Sequence, residues 1–353
     1  MATGDNPPRN SLGPGISEPS VLSAIQRSGY PVQTAVAEIL RAEFEIHAEW
    51  SYLDRDTKAL RAIDLFATKA LFDWKYPNSF AVRPELALMI ECKKSDLPFV
   101  FFEAAARPWM PEFPIITGLK SSELTLYTDD ALSTHTVPVL TALGLTDNPY
   151  LIRPPVSATF AKCNRKGSEL ELSGDEAYNN VVLPLVKSVA HLEKVSKPKE
   201  SHLFFDARLT IPLAVVDAPI VLVTSDNGVR APRLTPWVRL SRHEYDASIS
   251  EHREARIWAL DVVHVDYLTE YVTTHLMPFA ELFAQRAKSH HRELADGEGF
   301  AAGLEHDSFN KIENRLRPRP VTHSMLGGRW LSLPRVVWNR VRKSRKVEEH
   351  CED

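Results

Sequence analysis

Cysteine is scarce: Cys92, Cys163 and Cys351 are three in 353 residues, odd in number and far apart. No Cys-x-x-Cys pair occurs, which argues against a disulfide framework or a zinc knuckle and makes a reduced, cytoplasmic setting the expectation. No apolar run is long enough to span a bilayer, and the N-terminus lacks the basic-then-apolar pattern of a secretory signal. Positive charge is not in excess either. With a formal net charge of −4, any grip on a nucleic acid must come from a local patch. Also missing are a Walker A loop, a Gly-x-Ser-x-Gly elbow and a His-Glu-x-x-His helix. Gly297-x-Gly299-x-x-x-Gly303 follows a helical pattern with the wrong spacing for a dinucleotide site, so it reads as a loop.

What remains is a globular composition, 44% apolar and 25% charged, in a chain long enough for one large domain or two ordinary ones. The informative stretch runs from Arg61 to Lys93. Arg-Ala-Ile-Asp-Leu-Phe-Ala (61–67) and Leu-Ala-Leu-Met-Ile-Glu-Cys-Lys-Lys (86–94) both read as short buried strands, because apolar residues flank each acid without helical spacing. Asp64 interrupts the first strand and Glu91 closes the second. Lys93, two residues on, points to the same side as Glu91.

An acid inside an apolar strand is costly unless something positive compensates it. Two such acids on neighbouring strands would raise each other's pKa. A hard cation such as Mg²⁺, held by one or two carboxylates plus water and phosphate oxygens, removes that cost. A lysine beside it adds a point charge that can orient a water. Spacing by itself is equally compatible with a turn-capping Asp and an ion-paired Glu at a strand end.

The preceding residues show the same order of elements. Gly29-Tyr30-Pro31-Val32-Gln33 opens a helix with Val32, Ala35, Val36, Ile39 and Leu40 on its apolar face, ending near Glu43-Phe44. A hairpin follows, with arms Ile46–Leu53 and Leu60–Thr68 around a turn at 54–58. A polar link (Asp73 to Pro84) then leads to the Glu91 strand. With Asp64 and Glu91-Cys92-Lys93, this stretch resembles the PD-(D/E)xK nuclease superfamily, the restriction-endonuclease-like fold, and its opening is similar to bacterial members. The resemblance is good over roughly 28–103 and holds only in outline beyond. It implies that Asp64 and Glu91 bind Mg²⁺ (or Mn²⁺), that the Cys92 carbonyl is a further ligand, and that Lys93 is the catalytic lysine. Two positions depart from the pattern: Ile63 replaces the proline of the Pro-Asp pair, a common relaxation, and Gln33 stands where the first helix often carries a supporting Glu. Glu38 is the other residue of that helix that could support the site.

The expected fold is α/β, a mixed β-sheet flanked by helices, with an insertion at 104–172 after the third strand and extra C-terminal strands and a helix. Residues 1–19, rich in Pro, Gly, Ser and Asn, read as a disordered leader, 20–292 as the nuclease-like domain and 293–353 as a linker and basic tail. Within the insertion, Leu124–Tyr127 and Ala158–Cys163 read as strands. Ser173-Gly174-Asp175-Glu176 has the form of a capping box, ahead of a helix with Val181, Val182, Leu185, Val189 and Leu192 on one face and Pro184 as a kink or delay. Strands are expected at Ile211–Val216 and Ile220–Thr224, joined by a turn at Asp217, then at Trp237–Leu240 and Ile257–Val265. The longest helix is expected from Asp266 to about His291, with Leu268, Tyr271, Leu276, Phe279, Leu282 and Phe283 inward. Asp261 repeats the signature of Asp64 without a Glu-x-Lys partner, so a structural hydrogen-bonding role is expected. His290 and His291 read as solvated histidines, and Lys94 and Lys187 as ordinary exposed lysines. Between 311 and 347, eleven Lys or Arg meet a single acid, Glu313, with Trp330 and Trp338 among them. Such a tail suits a phosphate backbone, a solvated C-terminus or a surface helix at 333–341.

Metal-dependent hydrolysis of DNA phosphodiesters is the functional expectation, with nucleic acid as partner, no membrane span, and a homodimer as the resemblance implies. Gln33 in place of an acid favours the alternative, a nuclease-fold protein with little or no catalysis that binds nucleic acid or serves as a scaffold.

Overall fold

The computed structural model describes residues 7, 9–73, 82–128, 134–199, 204–226, 229–245, 255–301 and 316–317. Helices α1 (Glu18–Arg27) and α2 (Tyr30–Leu40) precede strands β1 (Glu45–Leu53), β2 (Leu60–Ala70), β3 (Val82–Lys94) and β4 (Phe99–Glu103). Short strands β5 (Ile115–Thr117), β6 (Glu123–Thr128) and β7 (Thr134–Pro138) and helices α3 (Val139–Ala142) and α4 (Pro149–Ile152) lead to β8 (Val156–Lys166) and β9 (Glu169–Ser173). Helix α5 (Gly174–Ala177) passes through a π-turn at Tyr178–Val182 into α6 (Leu183–Val195). Then come β10 (Phe205–Asp217), β11 (Ile220–Asp226), β12 (Val229–Leu234), β13 (Trp237–Tyr245) and β14 (Ala255–His264). The last part holds α7 (Leu268–Glu270), a π-turn at Tyr271–Leu276, α8 (Met277–Ser289), α9 (His291–Asp296), β15 (Glu298–Ala301) and β16 (Leu316–Arg317).

Among the described residues, one large mixed sheet runs in the order β1-β2-β3-β10-β14-β13-β8-β4-β11-β12, with β5 added to β10 and β9 to β8. A second, small sheet has the order β16-β15-β6-β7. The expected mixed sheet flanked by helices is therefore present. On one face, Val32, Val36 and Leu40 of α2 and Phe279 and Phe283 of α8 pack with Leu86, Leu88 and Ile90 of β3 and with Leu209, Ile211 and Leu213 of β10. On the other, Leu185, Val189 and Leu192 of α6 pack with Ala87 and Met89. Near-continuous apolar runs in β3 and β10 follow from burial on both faces. Among the described residues no helix is long and apolar enough to cross a membrane.

Several boundaries differ from expectation, each for a local reason. Helix α1 starts at Glu18, inside the expected leader, because Ser17 and Ser20 form a capping box. Helix α2 stops at Leu40, and Ile39 is exposed. Strand β3 already begins at Val82 and runs through Pro84, and β10 begins at Phe205. Their charged ends are neutralised: Arg83 bonds Asp206 at 2.7 Å and Arg208 pairs with Glu85 across the ladder, and Arg208 bonds Asp206 at 2.8 Å along β10. The 104–172 region contributes to the large sheet, with β8 between β4 and β13 and β5 paired with β10. Ser173 makes no side-chain cap bond. Glu176, its expected capping partner, instead accepts from Lys162 at 2.8 Å and Asn164 at 2.9 Å. Regular helix is delayed to Leu183 by Pro184, as expected, and the residues expected on its apolar face are all buried. In the long C-terminal helical stretch Leu282 is only partly buried, packed against the core. Gly297 is the left-handed cap of α9 and Gly299 lies in β15, so the glycine-rich stretch is cap and strand. Of the basic tail only 316–317 are described, and Trp330, Trp338 and Gly303 lie outside the described residues.

Strands β10 and β11 are consecutive but do not pair with each other. The parallel pair β3/β10 bends and continues as the parallel pair β4/β11. Two backbone bonds hold the bend, Ser95 N–H to the Asp217 carbonyl at 3.1 Å and Phe99 N–H to the Pro219 carbonyl at 3.0 Å. Strands that turn a corner in this way carry one sheet into the next layer.

Candidate active site

Asp64 and Glu91 become neighbours because β2 and β3 are antiparallel, with Leu65 opposite Ile90 and Phe66 opposite Met89. The regular ladder ends there, and the Asp64 carboxylate takes over: its Oδ2 accepts the Cys92 N–H at 2.7 Å. Ile63 and Phe66 both lie in the α6 core while Leu65 lies in the α2 core, so the in–out alternation slips at Asp64. Facing it on β1, between the pairs Ala48–Leu65 and Trp50–Ile63, is Glu49 with φ of +52°. A non-glycine residue in that region costs about 1 kcal/mol and persists only where its surroundings hold it.

What holds Glu49 is Gln33. Its amide nitrogen donates to Glu49 Oε1 at 2.9 Å and to the Asp64 carbonyl at 2.9 Å. Both partners are acceptors, so the amide orientation is fixed by chemistry. A glutamate at position 33 would set like charge against Glu49 and leave the Asp64 carbonyl without this donor. Glu38 is exposed on α2, and Gln33 is the helix residue that reaches the site. Glu49 was not legible as a site residue, since it sits exposed in an alternating strand. Its signal was available, because counting back from the hairpin turn places it opposite Asp64.

Glu91 is 6% exposed, and Lys93 forms an ion pair with its Oε1 at 2.5 Å. Glu91 Oε2 is buried with no hydrogen-bond partner. Burial, and then the Asp64 charge, push the Glu91 carboxyl from its ordinary 4.5 up to about 7, against the pull of Lys93. Asp64 is also raised, by burial first and by Glu49, although the Cys92 N–H and Lys93 act the other way. Oxygen donors, one of them orphaned, on two mutually repelling acids are what a hard divalent cation compensates. Asp64 and Glu91 would offer two carboxylates, the usual number for Mg²⁺. The Cys92 carbonyl oxygen lies beside the start of α2, where a methyl group on Gly29 would sit 3.7 Å from it. The Cys92 thiol is buried and its pKa raised, chiefly by that burial and then by the Asp64 and Glu91 charges.

The sign of the Glu91 shift gives a prediction. A carboxyl raised in the folded protein binds its proton more tightly folded than unfolded, so stability is full below pH 4.5 and lost as pH rises to about 7, by roughly 3 kcal/mol. Glu91→Gln is expected to remove that dependence. Urea unfolding without divalent ions should show the variant matching wild type near pH 4.5 and exceeding it at pH 8. A difference that does not grow with pH would show that Glu91 carries no such penalty.

The second strand-borne acid has a different environment. Asp261 accepts Arg239 Nε at 2.7 Å on Oδ1, and Arg239 Nη2 at 2.9 Å and the Tyr150 and Tyr271 hydroxyls at 2.8 Å each on Oδ2. Both oxygens are satisfied and all four residues are buried, so the role is structural, as expected. Of the lysines, Lys94 pairs with Asp217 at 3.0 Å and Lys187 with Asp56. His290 is partly buried rather than solvated, and burial lowers its pKa. His291 bonds the Lys288 carbonyl separately. The structure thus brings Gln33, Asp64, Glu91, Cys92 and Lys93 together, adds Glu49, and leaves Glu38, Lys94, Lys187 and the histidines apart. The chain matches no family model, and neither a curated protein nor a solved structure matches it.

Proposed function

We propose that this chain is a Mg²⁺-dependent nuclease of the PD-(D/E)xK group with a restriction-endonuclease-like core, acting on DNA. The observation that carries it is the buried, unpartnered Oε2 of Glu91 beside Asp64. Helix, hairpin, third strand, in that order, is the arrangement the resemblance requires. Asp64 and Glu91 would hold the ion, with the Cys92 carbonyl as a further ligand. When bound, Mg²⁺ supplies charge neutralisation at the scissile phosphate. Lys93, its stem on the same side of β3 as Glu91, orients the attacking water with its ammonium group. Gln33 fixes the Asp64 backbone and Glu49 from the helix side and so holds the acids in register.

One observation favours a second reading, an inert nucleic-acid-binding or scaffold protein: Lys93 already neutralises part of Glu91 without any ion. Calorimetric titration with Mn²⁺ separates the two. A nuclease site is expected to show saturable binding that weakens at least tenfold in Glu91→Gln. Heat that is absent, or indifferent to this substitution, supports the scaffold.

A further inference from the structure

A polar cleft of about 230 Å³ lies on elements that contribute nothing to the Asp64 site, at the ends of β4, α4 and β12. Arg107, Arg153 and Arg233 line it with Glu103, and Pro154 and Pro155 form part of its wall. Three guanidinium groups against one carboxylate leave an excess of two positive charges, in a chain whose formal net charge is −4. Like charges that line one cleft favour an anion among them.

The cleft is also built. Arg107 is held by two backbone acceptors, with Nη1 donating to the Leu151 carbonyl at 2.9 Å and Nη2 to the Pro154 carbonyl at 2.6 Å. Neither acceptor is charged, so its cation is anchored but not neutralised. Burial, and then the nearby Arg239 charge, lower its pKa. Among the described residues Arg153 and Arg233 form no ion pair, and both are exposed. Elsewhere in this protein arginines close to acids do pair, as Arg83, Arg208, Arg239 and Arg256 show. Guanidinium forks match tetrahedral oxyanions, whose oxygens can be met two at a time by one fork.

We propose that this cleft binds a dianionic oxyanion of the phosphate class, either inorganic phosphate or a phosphate monoester at the end of a nucleic acid. A dianion balances the two excess charges, with Arg107 anchored on two carbonyls and Arg153 and Arg233 free of ion pairs among the described residues. The site stands whether or not Asp64 and Glu91 cleave a phosphodiester, because it shares no residue with them.

The test is isothermal titration of the full chain with inorganic phosphate at low ionic strength. We expect saturable binding, weakened at least tenfold in Arg153→Gln/Arg233→Gln and unchanged in Arg165→Gln, an exposed arginine on β8. Circular dichroism melting checks that the double variant is folded, and if it is not, the single Arg233→Gln variant on the exposed β12 serves in its place. Absence of saturable binding, equal affinity in the cleft variants, or an equal loss in Arg165→Gln would overturn the proposal. A paired titration names the source. An oligonucleotide bound at least tenfold more tightly with a 5′-phosphate than without it assigns the cleft to nucleic-acid ends, whereas equal binding of the two assigns it to free phosphate.

Discussion

Asp64→Ala is expected to cut DNA at least about a thousand-fold more slowly than wild type in Mg²⁺, a loss of about 4 kcal/mol of transition-state stabilisation. Its fold should survive. The Asp64 side chain makes one hydrogen bond, to Cys92 N–H, and losing it costs about 1–3 kcal/mol. Against that, the substitution removes a partly buried acid whose raised pKa marks its charged form as unfavourable. The two effects oppose each other, so melting temperature without metal should move by only a few degrees. Asp64→Asn, which keeps an acceptor for Cys92, should be no less stable than the alanine variant and equally inactive. A supercoiled plasmid assay with purified proteins, beside calorimetric melting, checks both halves. Equal cleavage by wild type and either variant would end the nuclease assignment.

Asp261→Ala is expected to destabilise the protein by about 3–5 kcal/mol, the largest stability effect of any change considered. The carboxylate is the acceptor for both arms of Arg239 and for two tyrosine hydroxyls, all without solvent. Removing it leaves a buried guanidinium with the Tyr150 and Leu151 carbonyls and the rings of Phe113, Tyr150 and Trp237 as its partners among the described residues. Removing both charges, as in Asp261→Leu with Arg239→Met, should cost less than Asp261→Ala alone, because no unpaired charge remains. Urea unfolding of the three proteins decides. A loss below about 1 kcal/mol for Asp261→Ala would mean that water or a shifted side chain relieves the arginine.

These two acids show how far residue patterns reach. Asp64 and Asp261 each interrupt an apolar strand, and the Glu-x-Lys sequence on the strand next to Asp64 is the visible difference between them. The structure adds the reason: Asp261 has Arg239 directly opposite in the β13–β14 ladder, whereas Asp64 has Glu49 opposite. Hairpin partners of this kind can be counted from a turn. Tyr150 and Tyr271 could not, because they reach Asp261 from 111 and 10 residues away through tertiary packing. The ends of β3 and β10 were lost for a related reason. Asp206, Arg208, Arg83 and Glu85 look like solvent-facing punctuation until each charge finds its partner on the other strand. Similarly, β8 reads as part of an insertion because its partners, β4 and β13, flank it from both sides of the sequence.

The pairing of β3 with β10 joins residues 123 positions apart, as the Glu85–Arg208 contact shows. During synthesis the α2–β1–β2–β3 unit emerges first, with the apolar edge of β3 unpaired until β10 leaves the ribosome, roughly 6–25 s later at ordinary elongation rates. An open strand edge of that kind is a template for pairing with other chains. Nascent chains halted between these two strands would therefore be the aggregation-prone species of this protein, and chaperone capture should concentrate there.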